Sequence, residues 1–275
     1  MSMVIELRGK LGGIKKINKV TEAIQVVAVA QLKKVQARQK AAAQYRKAYD
    51  RLAAKLQIKI TSPAEKVATA ELVYVFLSEK GFCGGFNEGL LSKAMELSRQ
   101  NPETCFVVVG ARGCERAKEM RLPRIEKYLT HKNVECRQLA QEAAELFIQG
   151  KVGRVALLYN EFKSMLTQTP AWQGILPFEG KETVEASDAG IFEPSIQAVR
   201  QFVASNYLAV VFCDAICETQ MGETAARLIT MRGATENSKK MIDELQIKLN
   251  KARQAAITVE LTEIVSSFDV LTEGE

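Results

Sequence analysis

The sequence predicts an antiparallel coiled coil of N- and C-terminal helices around an inserted open α/β domain. Three observations support this fold class. Apolar or small residues recur at alternating steps of three and four near both ends of the chain, which is the coiled-coil period. Short apolar runs alternate with helical patterns in the middle of the chain. No proline interrupts the first terminal pattern, so it can continue as one helix.

The first element is a helix over about residues 3–58, and the N-terminal coiled-coil segment is predicted to span 1–60. Gly12 and Gly13 weaken its first turns, each by up to about 1 kcal/mol relative to alanine. Pro63 disfavours the helical conformation in the residue before it. We therefore expect this helix to end just before Pro63.

The inserted domain is predicted to span 61–194, including a polar, turn-rich linker over 178–194. Apolar runs typical of strands buried on both faces of a parallel sheet lie at 71–78, 105–110 and 154–160. Helical patterns lie at about 87–100, 112–120 and 134–149. This alternation predicts a Rossmann-like, doubly wound domain. A further strand or pair of strands is expected over 164–178, broken by Pro170 and Gly174.

The C-terminal segment, 195–275, returns to a long helical pattern with the same spacing of three and four residues. The domain between the two helices can reverse the chain direction, so an antiparallel pair would bury both apolar stripes. We expect residues of about 14–56 to pair with residues of about 210–260, with Ile24 close to Val259.

Length and charge limit the protein classes that fit this chain. Its 275 residues are enough for one sizeable core or two modest ones. The net charge is +6, and basic residues concentrate in the first helix, which could attract nucleic acid, an anionic membrane or an acidic protein face. A solvated helix face is the plain alternative. No secretory signal and no apolar run of roughly 18 residues are evident, so we expect a protein of the bacterial cytosol.

The six cysteines are expected to be small buried thiols rather than a metal or redox site. A disulfide framework does not fit a long chain without an export signal. Cys213 and Cys217 are four residues apart, so on a helix they would share one face. A zinc site would need two more ligands, and His131 is the only histidine.

The sequence predicts no catalytic residue, no metal and no cofactor. The glycine-rich runs GFCGGF (81–86) and GARGCER (110–116) each follow a strand, but neither is a GxxxxGK[ST] phosphate loop, so both are interpreted as tight turns. Asp214 and Glu218 are expected to form a surface pair. The other candidates are interpreted as one exposed histidine and two core aromatic residues: His131, Trp172 and Tyr207.

Four segments, taken in order, resemble the gamma subunit of the F-type (rotary) ATP synthases. They are KVTEAIQVVAVAQLKK (19–34), the loop SEKGFCGGFN (78–87), YNEFKSML (159–166), and the long stretch from GETAARLITMRGATENSKK to TVELTEIVS (222–266). The resemblance spans nearly the whole chain. It implies a non-catalytic central rotor shaft that couples ion-driven rotation of the c-ring to ATP synthesis or hydrolysis in the beta subunits.

The resemblance also implies partners and contacts. The shaft would lie inside a hexamer of alpha and beta subunits and meet the epsilon subunit and the membrane c-ring, peripheral to the cytoplasmic face of the bacterial inner membrane. Arg253 and Gln254 would contact a beta-subunit loop near the top of the shaft, and Lys80 would meet an acidic beta-subunit segment lower down. The facing helix would contribute Ile24, Lys33 and Lys34.

Three alternatives remain at this point. The first is the gamma-like subunit of a divergent, possibly sodium-coupled F-type ATPase. The second is an α/β nucleotide-binding enzyme with coiled-coil arms, which would need a phosphate loop. The third is a basic coiled-coil nucleic-acid-binding protein, for which Tyr45 and Tyr49 are the stacking residues available along the basic helix.

Overall fold

The computed structural model describes residues 2–61, 69–131, 134–180 and 192–272. The first helix ends at Lys55, earlier than the expected end just before Pro63, because the chain turns there and continues as a short strand at Lys59–Ile60. Most of the predicted linker lies outside the described ranges. The chain divides into two compact units, Met1–Val27 with Thr230–Glu275 (unit 1) and Ala28–Ile229 (unit 2). The domains predicted from the sequence each contain a whole terminal helix or the inserted domain, whereas the two units each contain parts of both terminal helices. The units therefore do not test the predicted domain boundaries.

Long helices occupy both ends of the chain, as predicted. The helices are α1 (Ser2–Lys55), α2 (Phe86–Gln100), α3 (Ala111–Glu119), α4 (Cys136–Ile148) and α5 (Ile196–Thr272). The strands are β1 (Lys59–Ile60), β2 (Glu71–Phe76), β3 (Cys105–Val109), β4 (Ile125–Leu129), β5 (Arg154–Phe162), β6 (Gln168–Leu176) and β7 (Phe178–Glu179). The glycines near the start of α1 do not interrupt it.

The central sheet has the strand order β4-β3-β2-β5-β6. The first four strands are parallel, and β6 runs antiparallel to β5. This confirms an open α/β domain with an antiparallel edge. Two details differ from the sequence prediction. Strand β4 was not predicted, and β6 is one continuous strand in which Pro170 pairs with Asn160. Proline is tolerated there because β6 is an edge strand.

The sheet separates two apolar cores in unit 2, and the alternation of β2 shows how. Tyr74 and Phe76 point into a core shared with α4, the end of α1 and the start of α5. Val73 and Val75 point into the opposite core, which α2 and α3 cover. Because strand side chains alternate between faces, a continuous apolar run is what a strand buried on both sides requires.

In each unit, α1 and α5 pair antiparallel. In unit 1, Ser238 Oγ donates to Asn18 Oδ1 at 2.8 Å, and Thr235 Oγ1 donates to Thr21 Oγ1 at 2.9 Å. In unit 2, Tyr207 Oη donates to Asp50 Oδ1 at 2.9 Å. The antiparallel prediction is therefore confirmed.

The register predicted for that pairing is wrong. Because Thr21 contacts Thr235, Ile24 lies opposite the turn of α5 near Arg232 rather than near Val259. The three-four stripe repeats with the same period along the whole of α5, so it fixes which face is buried but not which turns meet.

Helix α5 includes a window of 18 residues with a mean hydropathy of 1.3, which by length and composition alone could cross a membrane. This window was not recognised from the sequence. In the part of α5 that belongs to unit 2, Val203, Val211 and Phe212 are buried against the sheet. Their packing gives the apolar character of this segment a structural explanation.

Candidate partner-contact sites

A single glutamate on α5 holds the loop that joins β2 to α2. The carboxylate of Glu223 accepts hydrogen bonds from the backbone N–H groups of Glu79 (3.0 Å) and Lys80 (2.9 Å). Arg227, one turn further on, pairs with Glu223 and donates from Nε to the carbonyl oxygen of Gly81 at 3.0 Å. Both side chains are almost fully buried, at 4% and 6% exposure. These contacts hold the backbone of the loop against α5, and the Lys80 side chain is exposed.

A second carboxylate fixes the other side of this loop. Oε2 of Glu79 accepts hydrogen bonds from the backbone N–H of Ala111, at 2.9 Å, and of His131, at 3.1 Å. Ala111 is the first residue of α3, where a carboxylate also interacts favourably with the helix dipole. Glu79 thus connects the segments that follow β2, β3 and β4, at the carboxyl ends of these three parallel strands.

These residues border a pocket of about 270 Å³ whose lining is rich in cations. Its basic side chains are Lys34, Arg38, Lys80 and Arg227, against the acidic Glu79 and Glu223. Both carboxylates are occupied by the hydrogen bonds given above. Among the described residues, no carboxylate lies within ion-pair distance of Lys34 or Lys80. The surface here is positive and its lysines are available to an acidic partner.

His131 contradicts its sequence interpretation. It was expected to be exposed, but it is half-buried at the edge of the pocket that Lys34 and Lys80 line. Both ring nitrogens are buried without a hydrogen-bond partner among the described residues. Burial here follows from the position of the residue at the end of β4, the strand that was not predicted.

The glycine-rich loop is confirmed as a tight turn. Phe82 and Gly84 adopt positive φ angles of 63° and 59°. The pocket beside the loop is also lined by three glutamates, Glu88, Glu115 and Glu119, against two arginines. Arg116 Nε lies 2.8 Å from Oε1 of Glu88, and its Nη1 lies 2.8 Å from Oε2 of Glu119. An acidic lining with its arginines already paired does not suit a phosphate group.

The remaining predicted contact residues lie on the two long helices, and all but one of them are exposed. Lys33 is exposed on α1, in unit 2. In unit 1, Ile24 is half-buried, whereas Arg253 and Gln254 are exposed. Arg253 lies about 27 Å along the helix from Thr235, at about 1.5 Å per residue. The structure therefore brings Lys34 and Lys80 together but does not bring Ile24 close to Arg253.

Asp214 and Glu218 are not the surface pair that the sequence predicted. Burial raises the pKa of both carboxyls. Glu218 accepts a hydrogen bond from the backbone N–H of Phe162 at 3.0 Å, whereas Oδ1 of Asp214 is buried without a partner among the described residues. The residues lie on the face of α5 that packs on the sheet, which a four-residue spacing alone cannot reveal.

The two single aromatic residues have opposite outcomes. Tyr207 is buried, at 3% exposure, and its ring lies 4.2 Å from that of Phe178, so its core assignment is confirmed. Trp172 is 38% exposed on the edge strand β6, and its core assignment is wrong. Sequence reasoning also overlooked Glu223 and Arg227. Their four-residue spacing could have indicated an ion pair on a helix. It could not have indicated that the pair holds a loop distant in the sequence.

Comparison with known proteins agrees with this architecture and these motifs. A family model described as ATP synthase matches residues 4–271. The ATP synthase gamma chain of Chlorobaculum tepidum is 32% identical over 295 aligned positions, covering 99% of this chain and 100% of the relative. This chain belongs to the ATP synthase gamma chain family. The gamma chain of Desulfitobacterium hafniense is 29% identical, with coverage of 98% and 100%.

Solved structures share the fold. A chain of the Euglena gracilis mitochondrial ATP synthase, in a structure of OSCP, F1 and the c-ring, superimposes with a TM-score of 0.75 at 18% identity, covering 99% of this chain and 96% of that one. A chain from the central stalk and c-ring of the Tetrahymena thermophila enzyme gives 0.58 at 19% identity, covering 78% and 99%. These similarities confirm the predicted fold class.

Proposed function

We propose that this chain is the central rotor shaft of an F-type ATP synthase. It couples rotation of a membrane c-ring, driven by ions, to ATP synthesis or hydrolysis in catalytic beta subunits. The observation that carries the proposal is the family match over residues 4–271, nearly the whole chain. The antiparallel pairing of α1 with α5 supports it, because a shaft needs a rigid helical element that can enter a ring of partner subunits.

The partners of this shaft are a hexamer of alpha and beta subunits, an epsilon subunit and the c-ring. The similar Euglena gracilis chain comes from an assembly of OSCP, F1 and the c-ring, and the Tetrahymena thermophila chain from a central stalk with its c-ring. The chain reaches the membrane only through this complex, at the cytoplasmic face of the bacterial inner membrane. Bacterial gamma chains among its relatives support that location.

An acidic beta-subunit segment is the proposed partner of Lys80. The supporting observation is the positive pocket that Lys80 shares with Lys34 and Arg38. The Glu223 carboxylate holds the Lys80 backbone, so the side chain extends from a fixed point. Electrostatic attraction between an exposed lysine and a mobile acidic partner mainly speeds association and guides orientation. That is suitable for a contact that must form and break as the shaft turns.

Arg253, Gln254, Ile24 and Lys33 are proposed to contact the alpha and beta subunits. Arg253 and Gln254 lie side by side on α5 with exposed side chains. A guanidinium donates to carbonyl and carboxylate oxygens in a planar fork, and a glutamine amide both donates and accepts. These two neighbours can therefore exchange polar partners without a large energetic preference for one position.

The chain itself is proposed to catalyse nothing, although it is a subunit of an enzyme complex. The acidic lining beside the glycine-rich loop supports this, because it disfavours bound phosphate. The nucleic-acid alternative has less support, since Tyr49 is buried at 6% exposure and cannot stack on a base. The identity of the coupling ion depends on the membrane sector and is not part of the proposal.

Purification of the tagged chain from its native cell tests the proposal. We expect stoichiometric recovery of alpha and beta subunits together with ATPase activity, and c-ring subunits when detergent-solubilised membranes are used. Recovery of the chain alone, or with an unrelated set of proteins, would contradict the shaft role.

The isolated chain provides the second arm. It is expected to hydrolyse no ATP, whereas the reconstituted complex does. Arg116→Ala, which changes a partly exposed side chain of the pocket beside the glycine-rich loop, controls for a contaminating ATPase, because hydrolysis that it leaves unchanged does not come from that pocket. Steady hydrolysis by the isolated chain that a substitution within it abolishes would contradict the non-catalytic assignment.

A further inference from the structure

The positive pocket beside the loop between β2 and α2 is built by four separate segments of unit 2. Its polar lining comes from α1, from the loop, from the segment after β4 and from α5, which contribute Lys34 and Arg38, Lys80, His131, and Arg227 respectively. Every lining residue lies within unit 2, so the pocket is complete in one compact unit. The fold thus collects cations that are distant in the sequence around one cavity of about 270 Å³.

The charges of this cavity are not balanced by the protein. Four basic side chains line it against two acidic ones, and both acidic ones already accept hydrogen bonds from backbone N–H groups. Among the described residues, none of the cations Lys34, Arg38 and Lys80 has a carboxylate within ion-pair distance. A cleft lined mainly by one sign of charge concentrates ions of the opposite sign, so this cavity attracts anions.

His131 adds an unpartnered polar group to the same cavity. Both of its ring nitrogens are buried, and neither has a hydrogen-bond partner among the described residues. Buried polar atoms are ordinarily paired with protein, water or a ligand, so an unpaired imidazole calls for an explanation. The imidazole carries an N–H group in its neutral and in its charged form. An anion in the pocket would supply the acceptor that this N–H lacks.

We propose that this pocket binds a small oxyanion of the phosphate class, held by Lys34, Arg38 and Lys80. A guanidinium donates two parallel hydrogen bonds to phosphate oxygens, and an ammonium group attracts phosphate as a point charge. Lys34 and Arg38 are four residues apart on α1, so they can approach an anion from the same side. Lys80 approaches from the loop whose backbone Glu223 holds.

The lining favours a small anion over a nucleotide or a lipid. Among the described residues that line the pocket, Val35 has the only apolar side chain. Sites for larger organic ligands usually have volumes of about 300–1,000 Å³ and mostly apolar or aromatic linings. A base or an acyl chain would therefore gain little here, and the charge of the phosphate group would supply the binding.

The proposal concerns this chain alone, so it can fail while the shaft role stands. Under the proposed function, the acidic beta-subunit segment and the bound anion would compete for Lys80.

Equilibrium dialysis of the full-length chain against radiolabelled inorganic phosphate, at constant pH and ionic strength, tests the proposal. We expect saturable binding at one site per chain. Lys34→Gln should weaken the affinity by about tenfold or more, because a charge-assisted contact is lost. Lys40→Gln is the matched control, since it makes the same change at an exposed position of α1 in unit 2, outside the pocket. It should change the affinity by less than about twofold, because solvent and salt screen its charge.

Both lysines are exposed, so both variants should unfold at the same temperature as wild type. A difference in phosphate affinity between them then reports the pocket and not the fold.

His131 gives an independent readout, because it is the only histidine and its imidazole resonances are unambiguous. Phosphate should shift these resonances along a saturation curve with the affinity found by dialysis, whereas chloride at the same pH and ionic strength should not. Adenosine monophosphate separates free phosphate from the phosphate group of a nucleotide, and it should bind no more tightly than phosphate. An absence of saturable binding, equal losses in the two lysine variants, unshifted His131 resonances, or tighter binding of adenosine monophosphate would each overturn the proposal.

Discussion

The two units stabilise the pairing of α1 with α5 by different kinds of contact. In unit 2, α5 is held by the apolar core of the sheet, with Phe212 fully buried and the Tyr74 ring 4.8 Å from it. In unit 1, the contacts between the helices are mostly small and polar, as at Thr21 and Thr235. Large apolar side chains there are exposed: Met3, Ile5, Ile17, Val20, Val26, Val27, Met241, Ile247, Ile257, Val259 and Leu261.

This difference shows where each unit obtains its stability. Unit 2 buries apolar side chains in two cores of its own, and this burial is its main source of stability. Unit 1 leaves apolar side chains in solvent, and extensive exposed apolar surface marks protein interaction sites. Under the proposed function, alpha and beta subunits cover this surface. The following predictions test that contrast, from the largest expected effect to the smallest.

The largest effect is expected at the buried ion pair of unit 2. Glu223→Ala should lower the free energy of unfolding by about 3–5 kcal/mol, because Arg227 stays buried without its carboxylate. Glu236→Ala in unit 1 is the matched control, since its partner Arg232 has the same four-residue spacing but both side chains are exposed. Its cost should stay within about 0.5 kcal/mol.

Urea denaturation followed by the fluorescence of Trp172 measures this prediction, because the single tryptophan lies in β6 of unit 2. Equal midpoints for the two variants would show that burial does not distinguish the pairs.

The register of unit 1 is tested by cross-linking. The hydroxyl oxygens of Thr21 and Thr235 are 2.9 Å apart, so Thr21→Cys combined with Thr235→Cys should form a disulfide under mild oxidation. Ile24→Cys combined with Val259→Cys should not. Peptide mapping identifies each link despite the native cysteines. A disulfide that forms only in the second pair would show that the register differs by many turns. It would also show that the polar contacts described for unit 1 are wrong.

A smaller effect is expected at Asp214 in unit 2. Burial raises the pKa of its carboxyl in the folded chain above the unfolded value of about 3.9, so the folded state binds more protons between the two pKa values. Stability is therefore lost as pH rises through that range. Asp214→Asn should match wild type below about pH 4 and gain stability above it.

Thermal unfolding at a series of pH values measures this gain. Asp243→Asn makes the same chemical change at an exposed position of unit 1. A larger gain for Asp243→Asn than for Asp214→Asn at neutral pH would contradict the burial argument.

The smallest effect on folding is expected in unit 1 at the proposed contact residues. Arg253→Ala with Gln254→Ala should change the stability of the isolated chain by no more than about 0.5 kcal/mol, because both side chains are exposed. The same double variant should slow ATP hydrolysis by the assembled complex or weaken its assembly. Assembly and turnover equal to wild type would show that these residues carry none of the coupling.

The sequence predicted elements whose patterns are local. The coiled-coil period gave both terminal helices, and apolar runs gave β2, β3 and β5. Strand β4 escaped because Glu126 and Lys127 make it resemble a polar loop, which an edge strand with one solvated face permits. The register of the two helices was not predicted, because the apolar stripe repeats with the same period along each helix. The contacts that distinguish one register from another are single polar pairs, such as that of Thr21 with Thr235.

The candidate site was predictable only where a local sequence motif identifies a residue. Lys80 could be named from its motif, yet its support comes from Glu223, 143 residues later in the chain. The burial of His131 and Asp214 also depends on which elements pack together. Side-chain environment at such positions is a tertiary property, so residue type and spacing alone assigned them wrongly.

Direct observation of rotation tests the central claim. The assembled alpha–beta–gamma complex would be fixed to a surface through its alpha and beta subunits, with a gold particle attached to this chain through a tag inserted near the exposed Phe82 of the loop between β2 and α2. The account predicts rotation of the particle in one direction that requires ATP and stops when ATP is removed. Sustained ATP hydrolysis by complexes whose particle stays stationary would contradict the assignment of this chain as the rotating shaft.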